Sequence, residues 1–434
     1  MLENASSIFY AHRFEARIEF ALLVSALFLQ RFSLPFQNTF LMLDVVPVAF
    51  ILLHQFLSGK LVVQVDRLLW FLAAALAATF SLLLNFKGTM LTSYFLFLAL
   101  YSLVTLSRPS TSTGEYRSTL QIFQFLVAVL SCLAIAQFAA QFVLDARNLI
   151  MFYGLIPDFL FGPLRAGVMN TVHPIEGSLL LKSNGIFLAE PSNLSQVTAL
   201  GILIEVLEFR RPKYLSVIVL GFLTAYSGVG GMVLLLFLPL AALRSGGAGV
   251  SVLFIVIFAV GVFATGLIDS SVFFSRVSEF DNTRSSGFAR FVSPLWLAAM
   301  HFDTASLEAL LFGNGPGTAK ALAFVTRWWA ANPSSWLKWI YEYGIIGSLL
   351  FVCFCASCLR RSRCPGLVLT ALIFIEVFAA GFLTTWFLTV VIALCTLQSV
   401  GPRRNHADTV SRYPQPLSAL PAPSGRQILF SERT

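Results

Sequence analysis

The sequence predicts an all-α, polytopic membrane protein, and three observations predict it. Apolar residues make up 57% of the 434 and charged residues 12%, with a mean hydropathy of +0.81. A soluble domain carries about 25% charged residues. The apolar residues gather in runs close to the ~20 that a helix needs to cross about 30 Å of hydrocarbon. Most basic residues cluster at the ends of those runs.

The runs place twelve expected helices at about 17–34, 39–58, 67–85, 89–107, 120–144, 191–209, 213–229, 230–243, 250–270, 336–358, 366–381 and 383–399. Two pairs come from longer stretches. The run 213–243 divides at Ser227-Gly228-Val229-Gly230-Gly231, a string of turn formers and small residues, and 366–399 divides at Gly381. One long helix in each place is the alternative.

Charge orients this array. With an internal N-terminus, His12/Arg13/Arg17, Lys60/Arg67, Arg108/Arg117, Arg210/Arg211/Lys213, Arg244, Arg360/Arg361/Arg363 and Arg403/Arg404 all fall on the cytoplasmic side, as the positive-inside rule requires. The first run lacks a small-residue cleavage site and reads as a retained anchor. Residues 1–400 then form a transmembrane domain with two larger loops outside, about 145–190 and 271–336. Residues 401–434, rich in proline and serine, are expected to be a disordered cytoplasmic tail.

The net charge of +8 is absorbed by this topology and the tail, so it does not point to nucleic acid. No glycine-lysine phosphate loop and no dinucleotide fingerprint occurs, and no cofactor is expected. The cysteines at 132, 353, 355, 358, 364 and 395 sit in helices or at their cytoplasmic ends. Cys355-x-x-Cys358 has no second pair or histidine beside it, so no metal is expected either.

Chemistry concentrates in the outer loops. The 271–336 loop carries Arg276, Arg284 and Arg290, then Gly313-Asn314-Gly315-Pro316-Gly317, Lys320, Arg327 and the tryptophans Trp328, Trp329, Trp336 and Trp339. A guanidinium binds phosphate through a planar fork and stays charged at any working pH; an indole offers a flat apolar face to a sugar ring. Together they describe a site for a phosphorylated, lipid-linked sugar. The competing reading gives the arginines lipid headgroups or Glu279, Asp281, Asp303 and Glu308 as partners, and makes Trp336 and Trp339 an interfacial belt.

A second stretch runs from Lys182 through Asn184-Gly185-Ile186-Phe187-Leu188-Ala189-Glu190 to Pro191-Ser192-Asn193. Pro191 suits the first position of a helix, where its missing N–H is not needed. The positive end of that helix faces the outer cavity and can hold an anion. Glu190 beside it either accepts a proton from an attacking hydroxyl or complements the helix start. Asp44 and Glu376 fall near outer helix ends, lining a wet cavity or reaching the interface.

The Asn184–Ser192 run, the glycines after Ala225-Tyr226-Ser227, the segment Arg290–Trp296 leading to Gly313-Asn314-Gly315-Pro316-Gly317, and Asn332 to Gly347 ending in Glu342-Tyr343-Gly344-Ile345-Ile346-Gly347 resemble the O-antigen ligase and Wzy-type polysaccharide polymerase superfamily. The resemblance covers roughly residues 180–350, and is closest in kind to xanthan-type exopolysaccharide polymerases. It implies a membrane glycosyltransferase of the bacterial inner membrane with a periplasmic active face. Such an enzyme joins undecaprenyl-diphosphate-linked oligosaccharide repeat units into exopolysaccharide or O-antigen, without nucleotide sugar or metal. Its implied partners are that lipid-linked oligosaccharide, membrane lipids, a chain-length regulator and export machinery.

The family pattern of an arginine, ten residues and a glycine falls on Arg276 and Gly287. Two departures stand out. Ligases of the superfamily carry a loop histidine where Ala330, Ala331 and Asn332 stand here, which favours a polymerase. The common Ser-Arg-Gly turn reads Ser227-Gly228-Val229, so a missing phosphate contact falls to Arg165 or Lys182.

Expected catalytic residues are therefore Glu190, Arg276 and Arg290, with substrate contacts from Arg284, Arg165, Lys182, His173, Trp328, Trp329 and Arg327. His173 and His301 are further outward candidates for positioning a hydroxyl. A ligase-type transferase is the alternative, and a lipid-linked oligosaccharide transporter the third reading. A transporter should show hydropathy repeats, deep charges and short loops.

Overall fold

A computed structural model describes residues 16–36, 39–87, 90–144, 175, 180–246, 281–283, 285, 287–319, 322, 334–379 and 384–400. The expected span at 250–270, the tail 401–434, and Arg165, His173, Arg276, Arg284, Arg327, Trp328 and Trp329 lie outside these residues.

The described chain is helical, with strands confined to two short antiparallel pairs. Four helices are long and apolar enough to cross a membrane: Val65–Leu84, Thr113–Ala140, Gly228–Ser245 and Ser335–Leu359. Shorter apolar helices cover Val45–Leu57, Met90–Val104, Pro212–Ala225, Gly366–Phe378 and Thr385–Thr396. The stretch 213–243 is two helices, separated at Tyr226 and Ser227, with Tyr226 left-handed at φ 45°.

Two expectations change. The first apolar run is helical only over 16–28; Ser33–Phe36 is instead a strand paired with Thr39–Met42, because Pro35 can neither donate to nor fit inside a helix. The 271–336 segment contains a helical stretch from Phe288 to Thr304 and a short helix Leu307–Phe312. The arginine, proline, histidine and aspartate spread through the first of these dilute its hydropathy.

Pro191–Ile204 forms the centre of the bundle. Apart from Asn193 all its residues are buried, as expected of a helix that, Gln196 and Asn193 aside, is apolar or small all round. It packs against Thr113–Ala140, Pro212–Ala225 and Gly228–Ser245. Close approach needs small residues: a Cβ on Gly230 would stand 2.2 Å from the Ser195 carbonyl oxygen, and Gly230 N–H donates to Ser195 Oγ at 3.2 Å. A second core joins Val65–Leu84, Met90–Val104 and Ser335–Leu359 through Phe71, Phe97, Tyr101, Phe351 and Phe354.

At the end remote from Pro191 the bundle is tied by a buried polar knot. Arg108 Nη1 donates to Glu19 Oε1 at 2.6 Å, Gln398 Nε2 to the same oxygen at 2.9 Å, and Thr119 Oγ1 to Glu19 Oε2. Such a charge is tolerable in an apolar interior only with partners of this kind. Asp44 does not reach the interface: it is fully buried, with both carboxyl oxygens 2.8 Å from Thr385 Oγ1. Glu376 borders a half-open apolar pocket of about 90 Å³ among Tyr101, Trp339, Phe354 and Cys355.

Candidate functional site

The start of the central helix is built by an unusual turn. Gly185 and Ile186 both have positive φ, 67° and 70°, a conformation that costs a β-branched residue of order 1–3 kcal/mol. Surrounding side chains hold it there. Gln137 Oε1 accepts from Asn184 N–H at 3.1 Å and from Ser183 Oγ, while Gln137 Nε2 donates to Asn184 Oδ1 at 3.0 Å. Asn184 Nδ2 spans the turn to the Leu188 carbonyl at 2.8 Å. The buried Arg31 guanidinium donates to the Ile186 carbonyl, and Gln30 Oε1 accepts from Asn193 Nδ2 at 2.9 Å.

Glu190 emerges from this turn as the residue before Pro191, in extended conformation at φ −137° and ψ 155°. Its side chain makes no capping hydrogen bond to the helix. It points instead at Arg290, a hundred residues away in the chain: Arg290 Nη2 donates to Glu190 Oε2 at 2.8 Å, with both side chains about one-fifth exposed. Ser192 Oγ donates to the same oxygen at 2.7 Å. Two donors on one oxygen fix the carboxylate in one orientation. Arg290 Nε and Nη1 have no hydrogen-bond partner among the described residues, so that side of the guanidinium has capacity for an anion.

Of the ten residues expected to act, Glu190, Arg290 and Lys182 lie within the described chain, and the first two are in direct contact. Lys182 is half-buried where the turn begins. Gln30, Arg31, Gln137 and Ser192 position the site and were not anticipated. Arg31 and Gln30 sit at the polar end of an apolar run, where they read as interfacial residues. The signal that finds them is the non-glycine Ile186 in a glycine-like conformation, which only a structure supplies.

The glycine-rich motif and the Glu342-Tyr343-Gly344 run prove to be one construction. The Ser335–Leu359 helix is broken at Gly344, where φ is 67° and ψ −174°. The carbonyls freed by the break are taken up by the loop: Tyr341 O accepts from Asn314 N–H at 2.9 Å, and Glu342 O from Gly315 N–H at 3.0 Å and Ser81 Oγ at 2.7 Å. Glu342 Oε1 accepts from Ala319 N–H at 3.2 Å. These motifs therefore shape backbone. Trp339 is buried with its ring 4.6 Å from that of Phe351, so it is not part of an interfacial belt.

His301 lies three helical turns beyond Arg290, about 16 Å along the axis, and is buried with its ring 4.9 Å from Tyr341. Burial holds its pKa below the ordinary 6.5. The folded imidazole then stays neutral where the unfolded one binds a proton, so its contribution to stability is present above about pH 6.5 and is lost as pH falls below that. Thermal unfolding in detergent should show a decrease in Tm from about pH 7 to about pH 5 that His301→Gln flattens; an identical pH dependence in both proteins would exclude this account.

Among the described residues, no group of three or more His, Cys, Asp or Glu side chains is placed to hold a metal ion. The chain matches no protein-family model, no curated protein and no solved structure, so the site has to be read from its own geometry.

Proposed function

We propose that this chain is a membrane glycosyltransferase that polymerises undecaprenyl-diphosphate-linked oligosaccharide repeat units at the periplasmic face of the bacterial inner membrane. The observation that carries the reading is the Glu190–Arg290 pair at the start of the central helix. A carboxylate that would accept the proton stands against a guanidinium that would bind phosphate, beside the positive end of a helix.

A glycosyl diphosphate already has a competent leaving group. The protein must neutralise charge developing on the diphosphate and place a hydroxyl behind the anomeric carbon. Arg290 serves the first task and Glu190 the second. The acceptor hydroxyl gives its proton to Glu190 as its oxygen bonds to the anomeric carbon. The bond from that carbon to the diphosphate breaks, its electron pair leaves with the lipid diphosphate, and the anomeric configuration inverts.

The break at Gly344 favours a second reading, since transporters use discontinuous helices to coordinate their cargo. Here the freed Tyr341 and Glu342 carbonyls already accept bonds from the neighbouring loop, which weighs against it. The glycan of a deletion strain separates the readings. Single repeat units accumulating on lipid at the outer face support a polymerase, long polymer stranded on its carrier means a ligase, and units retained on the inner face mean a transporter.

A further inference from the structure

The helical stretch Phe288–Thr304 has two apolar faces. One, comprising Phe288, Ser293, Leu297, Ala298 and His301, is buried against the bundle. The other presents Leu295 at 60% exposure, Trp296 at 50%, its ring edge-on to that of Phe288 at 5.2 Å, and Phe302 at 44%. Contiguous exposed apolar surface of this kind marks a contact with another apolar phase.

We propose that this stretch lies in the plane of the membrane surface, pressed between the bundle and the lipid chains of the leaflet nearest Glu190. Three observations select lipid as the occupant. The stretch is about 25 Å long and bridges the ends of two apolar helices: its first turn touches Ile375–Ala379, and His301 near its far end packs on Tyr341. Those helices expose their own apolar stripes, Phe378 on one and Ile345, Leu349 and Val352 on the other, so the exposed face of the stretch continues a lipid-facing surface. Finally, the side chains it exposes are those of an interfacial helix, tryptophan included, with Asp303 and Thr304 only at its end.

The placement stands whether or not the transferase reading does. Joined to that reading, it sets Arg290 at the level where the diphosphate of a membrane-anchored substrate would arrive, so that substrate reaches the site sideways along the membrane surface.

The test is photocrosslinking in native membranes, with benzoylphenylalanine replacing Trp296 or Phe302, and Val352 as the benchmark for a lipid-facing position. Irradiation should give phospholipid adducts at 296 and 302 in yield comparable with 352. Adducts to peptides of this chain or to another protein, or none where 352 gives them, would overturn the placement. As a second measurement needing only a conservative change, brominated-lipid quenching of wild type should exceed that of Trp296→Phe; equal quenching counts against it. Neither readout depends on activity.

Discussion

Arg290→Ala is expected to abolish long polymer, with chain elongation falling by about 10²–10³-fold, the cost of removing one preorganised donor from developing charge. Glu190→Gln should lower it by a comparable or larger factor, about 10²–10⁴-fold, if the carboxylate takes the proton. Both proteins should remain inserted, because each side chain is partly exposed and the central helix is held by many other contacts. Membrane fractions of each variant, supplied with lipid-linked repeats, provide the measurement.

A purely structural brace predicts something different. If the pair only fastened the Phe288–Val292 turn to the start of the central helix, Glu190→Gln with Arg290→Gln would keep a side-chain hydrogen bond and most of the activity. Near-normal polymer from that double variant would remove both residues from the chemistry.

Gly344→Ala is expected to have the largest effect on stability, at least about 3 kcal/mol from backbone strain and overpacking together. Gly344 has φ 67°, and a Cβ there would lie 2.3 Å from the Leu311 carbonyl oxygen. Backbone, unlike a flexible side chain, cannot swing aside. The variant should unfold at markedly lower temperature in detergent and show faster proteolysis. A Tm within error of wild type would mean that the two helix halves can re-pack, and that the break is not enforced by this contact.

Much of the membrane bundle was legible because hydropathy reports spans directly. The spans expected at 67–85 and 336–358 come within about two residues of the helices Val65–Leu84 and Ser335–Leu359. The site was legible in part. A helix start at Pro191 is a local signal, and Glu190 is conspicuous beside it. Their pairing with Arg290 is a contact across a hundred residues, and nothing local encodes it.

What escaped has physical reasons. The Phe288–Thr304 stretch mixes both faces of an apolar helix with polar residues at its edges, so a window average classes it with loops. The turn at Ile186 breaks a backbone preference, and the bonds from Arg31 and Gln137 that compensate come from residues remote in the chain. In Glu342-Tyr343-Gly344 the glycine marks a break in a helix, which hydropathy does not register.

The knot around Glu19 links a residue near the beginning of the chain to Gln398, 379 positions later. Synthesis proceeds in chain order, so the helix that carries Glu19 must wait, with its carboxylate lacking that amide, until the segments between it and Gln398 have been made. Assembly of this bundle therefore closes with a late clasp, and the helix that carries Glu19 remains only partly committed to its place until Gln398 has been made.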